Sequence, residues 1–353
     1  MNHRFRFLVQ QAASAMFDAW HDPDEGWEKV KNKRAARRFR SARSRALRYA
    51  AALVLLAGTA AYFYLYTGGA STDAGSDARE SASRVTLILA NGEQIRWEDD
   101  KQQFRVEELG ISIARDSAGG VMHYRAEPVA GEPSRLNRLV VPRGCEFSAQ
   151  LPDGSVVWLN SASSLRFPVT FPRDERVVYL EGEAYFEVAT DERAPFRVVS
   201  GEKRVTALGT RFNVSAYIDD PTWHVTLVEG KVSVRLEEGA REIVLRPSQQ
   251  LLFRESAGES EIKSVETETY TAWTRGQIYF KLSPLEEIVK KLERWYDFAI
   301  TYEEEALRRV QFRGGINKYR PLEETLRYLE ETGKVRFTVR GQHVVVTRAI
   351  EKR

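Results

Sequence analysis

The chain has almost no cysteine: Cys145 is the single one in 353 residues. That excludes an intramolecular disulfide and any cysteine-rich metal site. Histidine is nearly as scarce, and His3, His21, His123, His224 and His343 show no metal-ligand spacing. Phosphate loops, dinucleotide fingerprints and nucleophile elbows are missing too, so the sequence offers catalysis no seat and calls for no cofactor. Nor is there an excess of one charge. The net value is +3, and it is unevenly placed: residues 1–48 hold 12 Lys or Arg against 5 Asp or Glu, and the remainder hold 41 against 45. A slightly acidic main part speaks against direct nucleic-acid binding.

What is present is ample material for folding. With 42% hydrophobic, 11% aromatic and 29% charged residues, a chain of this length predicts two or three globular units. There is one long apolar run. Lys29 to Arg48 carries ten positive charges and no negative one, and Tyr49 to Tyr66 is then almost wholly apolar, with Tyr62, Phe63, Tyr64 and Tyr66 at its far end. Roughly 20 helical residues cross a bilayer core of about 30 Å, so residues 49–67 read as a transmembrane helix. The positive flank places residues 1–48 in the cytoplasm and the rest outside, and a basic region of that length is too long for a cleaved signal peptide.

Residues 68–82, GGASTDAGSDARESA, read as a flexible linker. From 83 to 270 the pattern is all β: alternating runs recur about every ten residues, with Asn91-Gly92 and Asp153-Gly154 as hairpin turns. Such spacing suits a sandwich, a jelly roll or a solenoid, and periodicity does not choose among them. From 271 to 350 the pattern becomes α+β. After the strand IYFKL, Ser283 reads as an N-cap and Pro284 as the first helical residue, and Leu285, Ile288, Val289, Leu292, Trp295 and Tyr296 share one helical face. Pro-Leu-Glu-Glu returns thirty-seven residues later, followed by Leu322, Leu326 and Leu329, a stop at Gly333 and a hairpin. The unit therefore reads as two strand–helix–strand halves.

Two constellations could carry chemistry on the β part. Glu181, Glu183 and Glu187 share one strand face, as paired carboxylates of a glycosidase would; a solvated face opposite Leu180, Ala184, Phe186 and Val188 explains them more simply. Trp97, Trp158, Trp223 and Trp273 could stack on sugars, but tryptophans in strands are usually core. A membrane-anchored periplasmic carbohydrate-binding or hydrolysing β protein is thus the alternative reading. A ring-forming scaffold of a secretion machine is a third.

In order along the chain, LPDGSVVWLNSASSLRFP, RVVYLEGEAYFEVA, PFRV, VTALGTRFNVSAY and TLVEGKVSVR resemble the FecR family of membrane-anchored anti-sigma regulators. The segment from IYFKLSPLEEIVKKLERWYDFAITY onward is similar to the domain closing many of those proteins, itself like the short signalling domains of secretins and TonB-dependent transporters. The resemblance implies a FecR-like β domain at 83–270, a short-domain-like unit at 271–350, no catalysis, and a relay across the inner membrane of a Gram-negative bacterium. It implies as partners the periplasmic signalling domain of an outer-membrane TonB-dependent transporter, an extracytoplasmic-function sigma factor, and a periplasmic or intramembrane protease.

Family members usually carry a longer cytoplasmic segment, so residues 1–48 read as an anti-sigma segment that is either truncated or assigned a start too far downstream. Its short amphipathic face, Phe5, Leu8, Val9, Ala12, Met16 and Trp20, is the expected sigma-factor contact. Val344, Val345, Val346 and Thr347, read as an edge strand open to strand addition, are the expected contact for the transporter domain.

Overall fold

The structure is a computed structural model and describes residues 84–97, 103–106, 111–115, 121–126 and 135–349. The expected transmembrane run and the amphipathic face from Phe5 to Trp20 lie outside these residues. Among the described residues no helix is long and apolar enough to cross a membrane.

Among the described residues eighteen strands, from Thr86–Ile88 to Glu259–Ser264, precede the first helix. They form two layers that share one twelve-residue strand, Arg176–Glu187. Its first half pairs with Ser163–Pro168 and, in parallel, with Phe196–Ser200, and its second half pairs with Val156–Leu159 and Arg211–Ala216. The crossing point is Gly182, at φ +96°. A Cβ there would fall 2.4 Å from Ser163 Oγ, so the bend needs a residue without one. Every second side chain of the strand is buried, from Val178 to Phe186, as the alternating pattern predicts. Phe186 meets Phe196 across the layers and stacks on Phe212, with centroids 6.0 and 5.2 Å apart. The two expected hairpins form at Asn91-Gly92 and Asp153-Gly154.

A short helix, Glu268–Thr271, and a 3-10 turn, Ala272–Arg275, lead to the second folded part. Its order is β1 (Gln277–Pro284), α1 (Leu285–Tyr296), β2 (Ala299–Tyr302), β3 (Gln311–Asn317), α2 (Leu322–Glu330), β4 (Val335–Arg340) and β5 (His343–Arg348). Strands β1 and β3 pair with each other, and the remaining three form a sheet in the order β2-β5-β4. Between these sheets lies a separate core built on Leu285, Ile288, Val289 and Leu292 of α1 and Leu326 and Leu329 of α2. Helix α1 starts one residue later than the Ser-Pro signal suggests. Pro284 is its N-cap, and the Leu285 amide donates to Val310 O at 2.8 Å, so a neighbouring backbone carbonyl does what the Ser283 hydroxyl was expected to do.

Val344 to Thr347 do not form an edge. Strand β5 runs parallel to β2 on one side and antiparallel to β4 on the other, so its backbone groups are used in both directions. Val344 and Val346 are fully buried in the core, and only Val345 and Thr347 reach the outer face. Both neighbours of β5 are already in place, and this corrects the expectation that a partner strand adds there.

Candidate functional site at the junction of two cores

The two cores share no residue. What joins them is charged. Arg294, buried near the end of α1, reaches Asp220 Oδ1 and Oδ2 at 2.7 and 3.0 Å and Asp219 Oδ1 at 2.8 Å, both on the turn after the Arg211–Ala216 strand. Its guanidinium lies over the Tyr217 ring, 3.7 Å from the centroid. Burial alone would lower its pKa, but the Asp220 hydrogen bond and charge, with Tyr217 and Asp219, hold it above the ordinary arginine value. Lys290, one turn earlier on the helix, donates to Asp219 O at 2.8 Å.

Lys318 forms the second clamp. It follows β3 directly, is almost wholly buried, and ion-pairs with Glu146 of the β part, which also accepts the Tyr319 hydroxyl. Its ammonium sits 4.3 Å from the Trp295 ring centroid and 5.6 Å from that of Trp273. Burial pushes its pKa down, and the Glu146 carboxylate opposes that shift. Backbone contacts complete the seam: Gly144 N donates to Arg294 O at 2.9 Å and Arg143 Nη1 to Glu293 O at 3.1 Å.

Between the clamps is a cavity of about 70 Å³ lined by Glu183, Tyr217, His224, Trp273 and Lys318 among others. Glu183 takes part in a fixed amide network: Asn160 Nδ2 and Asn213 Nδ2 donate to its two carboxylate oxygens at 2.8 and 2.9 Å, and Trp273 Nε1 donates to Asn213 Oδ1 at 3.1 Å. The nearby hydroxyls are also committed, with Ser163 Oγ accepting the Glu183 amide and Tyr217 OH donating to Ser161 O. His224 packs edge-on against Tyr270 and its Nδ1, out of reach of solvent, bonds to no other protein group. Burial and the nearby Lys291 push its pKa down to about 4.

The three glutamates singled out in the sequence do share a face, but they serve three separate partners. Glu181 pairs with Arg138 at 3.3 Å, Glu183 belongs to the network above, and Glu187 faces Arg211 at 3.6 Å. Of the four tryptophans, Trp223 and Trp273 are buried, Trp97 stands edge-on to Phe147, and Trp158 leans on Tyr185. Among the described residues no three His, Cys, Asp or Glu side chains converge as metal ligands. Sequence reasoning missed Arg294, Lys318, Glu146 and the Asp219-Asp220 pair. The one available signal was an apolar face on α1 too wide for a single core, because Trp295 extends it toward a second surface while Tyr296 stays on the helix's own core.

Residues 137–233 match the model of the FecR protein family and residues 277–346 that of the FecR C-terminal domain. Two crystal structures from Parabacteroides distasonis, each described as a "putative anti-sigma factor", are 30% and 31% identical. They cover 60% and 61% of this chain and 99% and 100% of their own, with TM-scores of 0.56 and 0.57. The chain belongs to the FecR family of anti-sigma factors. No curated protein is significantly similar to it in sequence. As a FecR-family chain it has a regulatory role, with a sigma factor as the partner that its family implies. The junction accordingly reads as a device that fixes the attitude of one folded part on the other.

Proposed function

We propose that this chain is a single-pass inner-membrane regulator. Residues 1–48 hold an extracytoplasmic-function sigma factor in the cytoplasm, residues 49–67 cross the membrane, and the part from 83 onward receives a signal in the periplasm. The signal comes from the periplasmic signalling domain of an outer-membrane TonB-dependent transporter, and a periplasmic or intramembrane protease then frees the cytoplasmic segment. The observation that carries this reading is membership of an anti-sigma family through both folded parts, behind a sequence that turns from ten positive charges to an uncharged apolar run. A single helix conveys a signal only when its two ends are tied to states of other proteins, so the periplasmic partner must bind one state better than the other.

The test is co-purification of the full chain, in detergent, with the sigma factor encoded beside it, followed by a promoter reporter for that sigma factor. Capture that is lost when Leu8 and Val9 are changed to Asp supports the reading. A chain that captures no sigma factor and leaves the reporter unchanged on deletion of its gene overturns it.

A further inference from the structure

The thirty-seven-residue repeat extends to a detail of hydrogen bonding. Glu293, near the end of α1, accepts the Ile300 amide of β2 at 3.1 Å, and Glu330, at the end of α2, accepts the Phe337 amide of β4 at 2.6 Å. The acceptors are thirty-seven residues apart, and so are the donors. Strands β2 and β4 are the two edges of the three-stranded sheet, so each edge has one outward N–H covered by a carboxylate from the helix before it. The β4 register fixes which groups face outward. Arg340 pairs with His343 across a two-residue turn and Thr338 with Val345, so the amides of residues 336, 338 and 340 point to β5 and those of 335, 337 and 339 point away.

The two edges differ in charge and in freedom. Edge β2 leads into Glu303, Glu304 and Glu305, and its guard sits on α1, the helix clamped to the β part through Lys290 and Arg294. Edge β4 lies in a stretch, 332–350, that holds Lys334, Arg336, Arg340 and Arg348 and no Asp or Glu. Arg336 and Arg340 are exposed and, four residues apart, lie on the same outer face. Arg336 is 61% exposed and only loosely paired with Glu330, at 3.7 Å.

We propose that the outer edge of β4 is a docking edge for an extended, carboxylate-bearing segment of the periplasmic partner, and that Glu330 is its gate. In the free chain the Glu330 carboxylate stands in for a partner carbonyl on the Phe337 amide. On docking, the segment adds as a fourth strand beside β4, its carbonyl replaces Glu330, and its acidic side chains at alternate positions meet Arg336 and Arg340. The inference rests on the proposed function in one respect: the segment belongs to the signalling domain of the transporter.

The experiment measures binding of the full chain, in detergent, to the purified periplasmic signalling domain of the TonB-dependent transporter encoded beside it. Glu330→Ala removes the gate and is expected to tighten binding at least threefold, whereas Glu293→Ala stays within twofold of the wild type. Val339→Pro blocks an outward position without removing a bond to β5 and is expected to weaken binding at least tenfold. The exposed pair Arg336→Glu with Arg340→Glu, which leaves the backbone untouched, is expected to weaken it as much and to flatten its salt dependence. If the wild type binds and all four variants stay within twofold of it, the docking edge is wrong and the proposed function survives. Tighter self-association of Glu330→Ala with unchanged partner binding would show that the gate guards only against pairing of two copies, and also overturns the inference. A wild type that does not bind overturns both.

Discussion

Arg294 stacks 3.7 Å over the Tyr217 ring while its two terminal nitrogens grip both carboxylate oxygens of Asp220. A planar fork on an aromatic face is a geometry that lysine does not reproduce. Arg294→Ala leaves the half-buried Asp220 carboxylate with only Lys290, 3.6 Å away, and is expected to cost about 1–3 kcal/mol, the usual loss of charged hydrogen bonds. Chemical denaturation should show Arg294→Lys losing most of that amount as well. Full stability in either variant would remove the junction from the list of structural determinants.

Gly182→Ala tests the bend in the shared strand. A left-handed conformation costs an alanine about 1–2 kcal/mol. The clash with Ser163, whose Cα would lie 2.7 Å from the new Cβ, adds an overpacking cost of about 1–3 kcal/mol. The double variant Gly182→Ala, Ser163→Gly should recover at most the share due to the Ser163 side chain, because the Cα of residue 163 stays 2.7 Å from the new Cβ. Urea titration of the three proteins measures that share.

His224 makes stability depend on acidity. Its pKa is lowered to about 4 in the folded chain, against about 6.5 unfolded, so between these values the unfolded state binds more protons. The stabilisation is complete above pH 6.5 and is lost as pH falls toward 4. Thermal melts of the wild type across that window should fall faster than those of His224→Gln, and parallel curves would contradict the assignment.

Proline placement separates a central strand from an edge. Val346→Pro removes a ladder hydrogen bond inside the β2-β5-β4 sheet and should expose the C-terminal part to proteolysis, while Val339→Pro should leave it protected. Equal protection of the two variants would show that β5 is not held from both sides.

These outcomes bear on what the residue pattern could reveal. Alternation identified the stretch from 83 to 270 as all β, and the helical stripes Leu285-Ile288-Val289-Leu292 and Leu326-Leu329 lie in the second core as expected. Strand order is another matter. Val344 to Val346 look the same in sequence whether they are flanked by one strand or two, because the flanking partners come from residues 299–302 and 335–340. The junction was hidden for a related reason: Lys318 and Asp220 resemble ordinary surface charges until folding buries them against Glu146 and Arg294. Glu183 was noticed for the wrong property, since its role depends on two asparagine amides rather than on a second carboxylate.

The parallel pairing of β2 with β5 has a mechanical consequence. The chain enters β2 at Ala299 and leaves β5 at Arg348, at opposite ends of a ladder whose strands run in the same direction. Tension between these points slides one strand along the other and loads all the hydrogen bonds of the ladder together, instead of peeling them apart one at a time. Forced unfolding is governed by the unfolding rate, so a ladder loaded in shear yields late. A C-terminal part built in this way can be tugged through its last strand and still move as one piece.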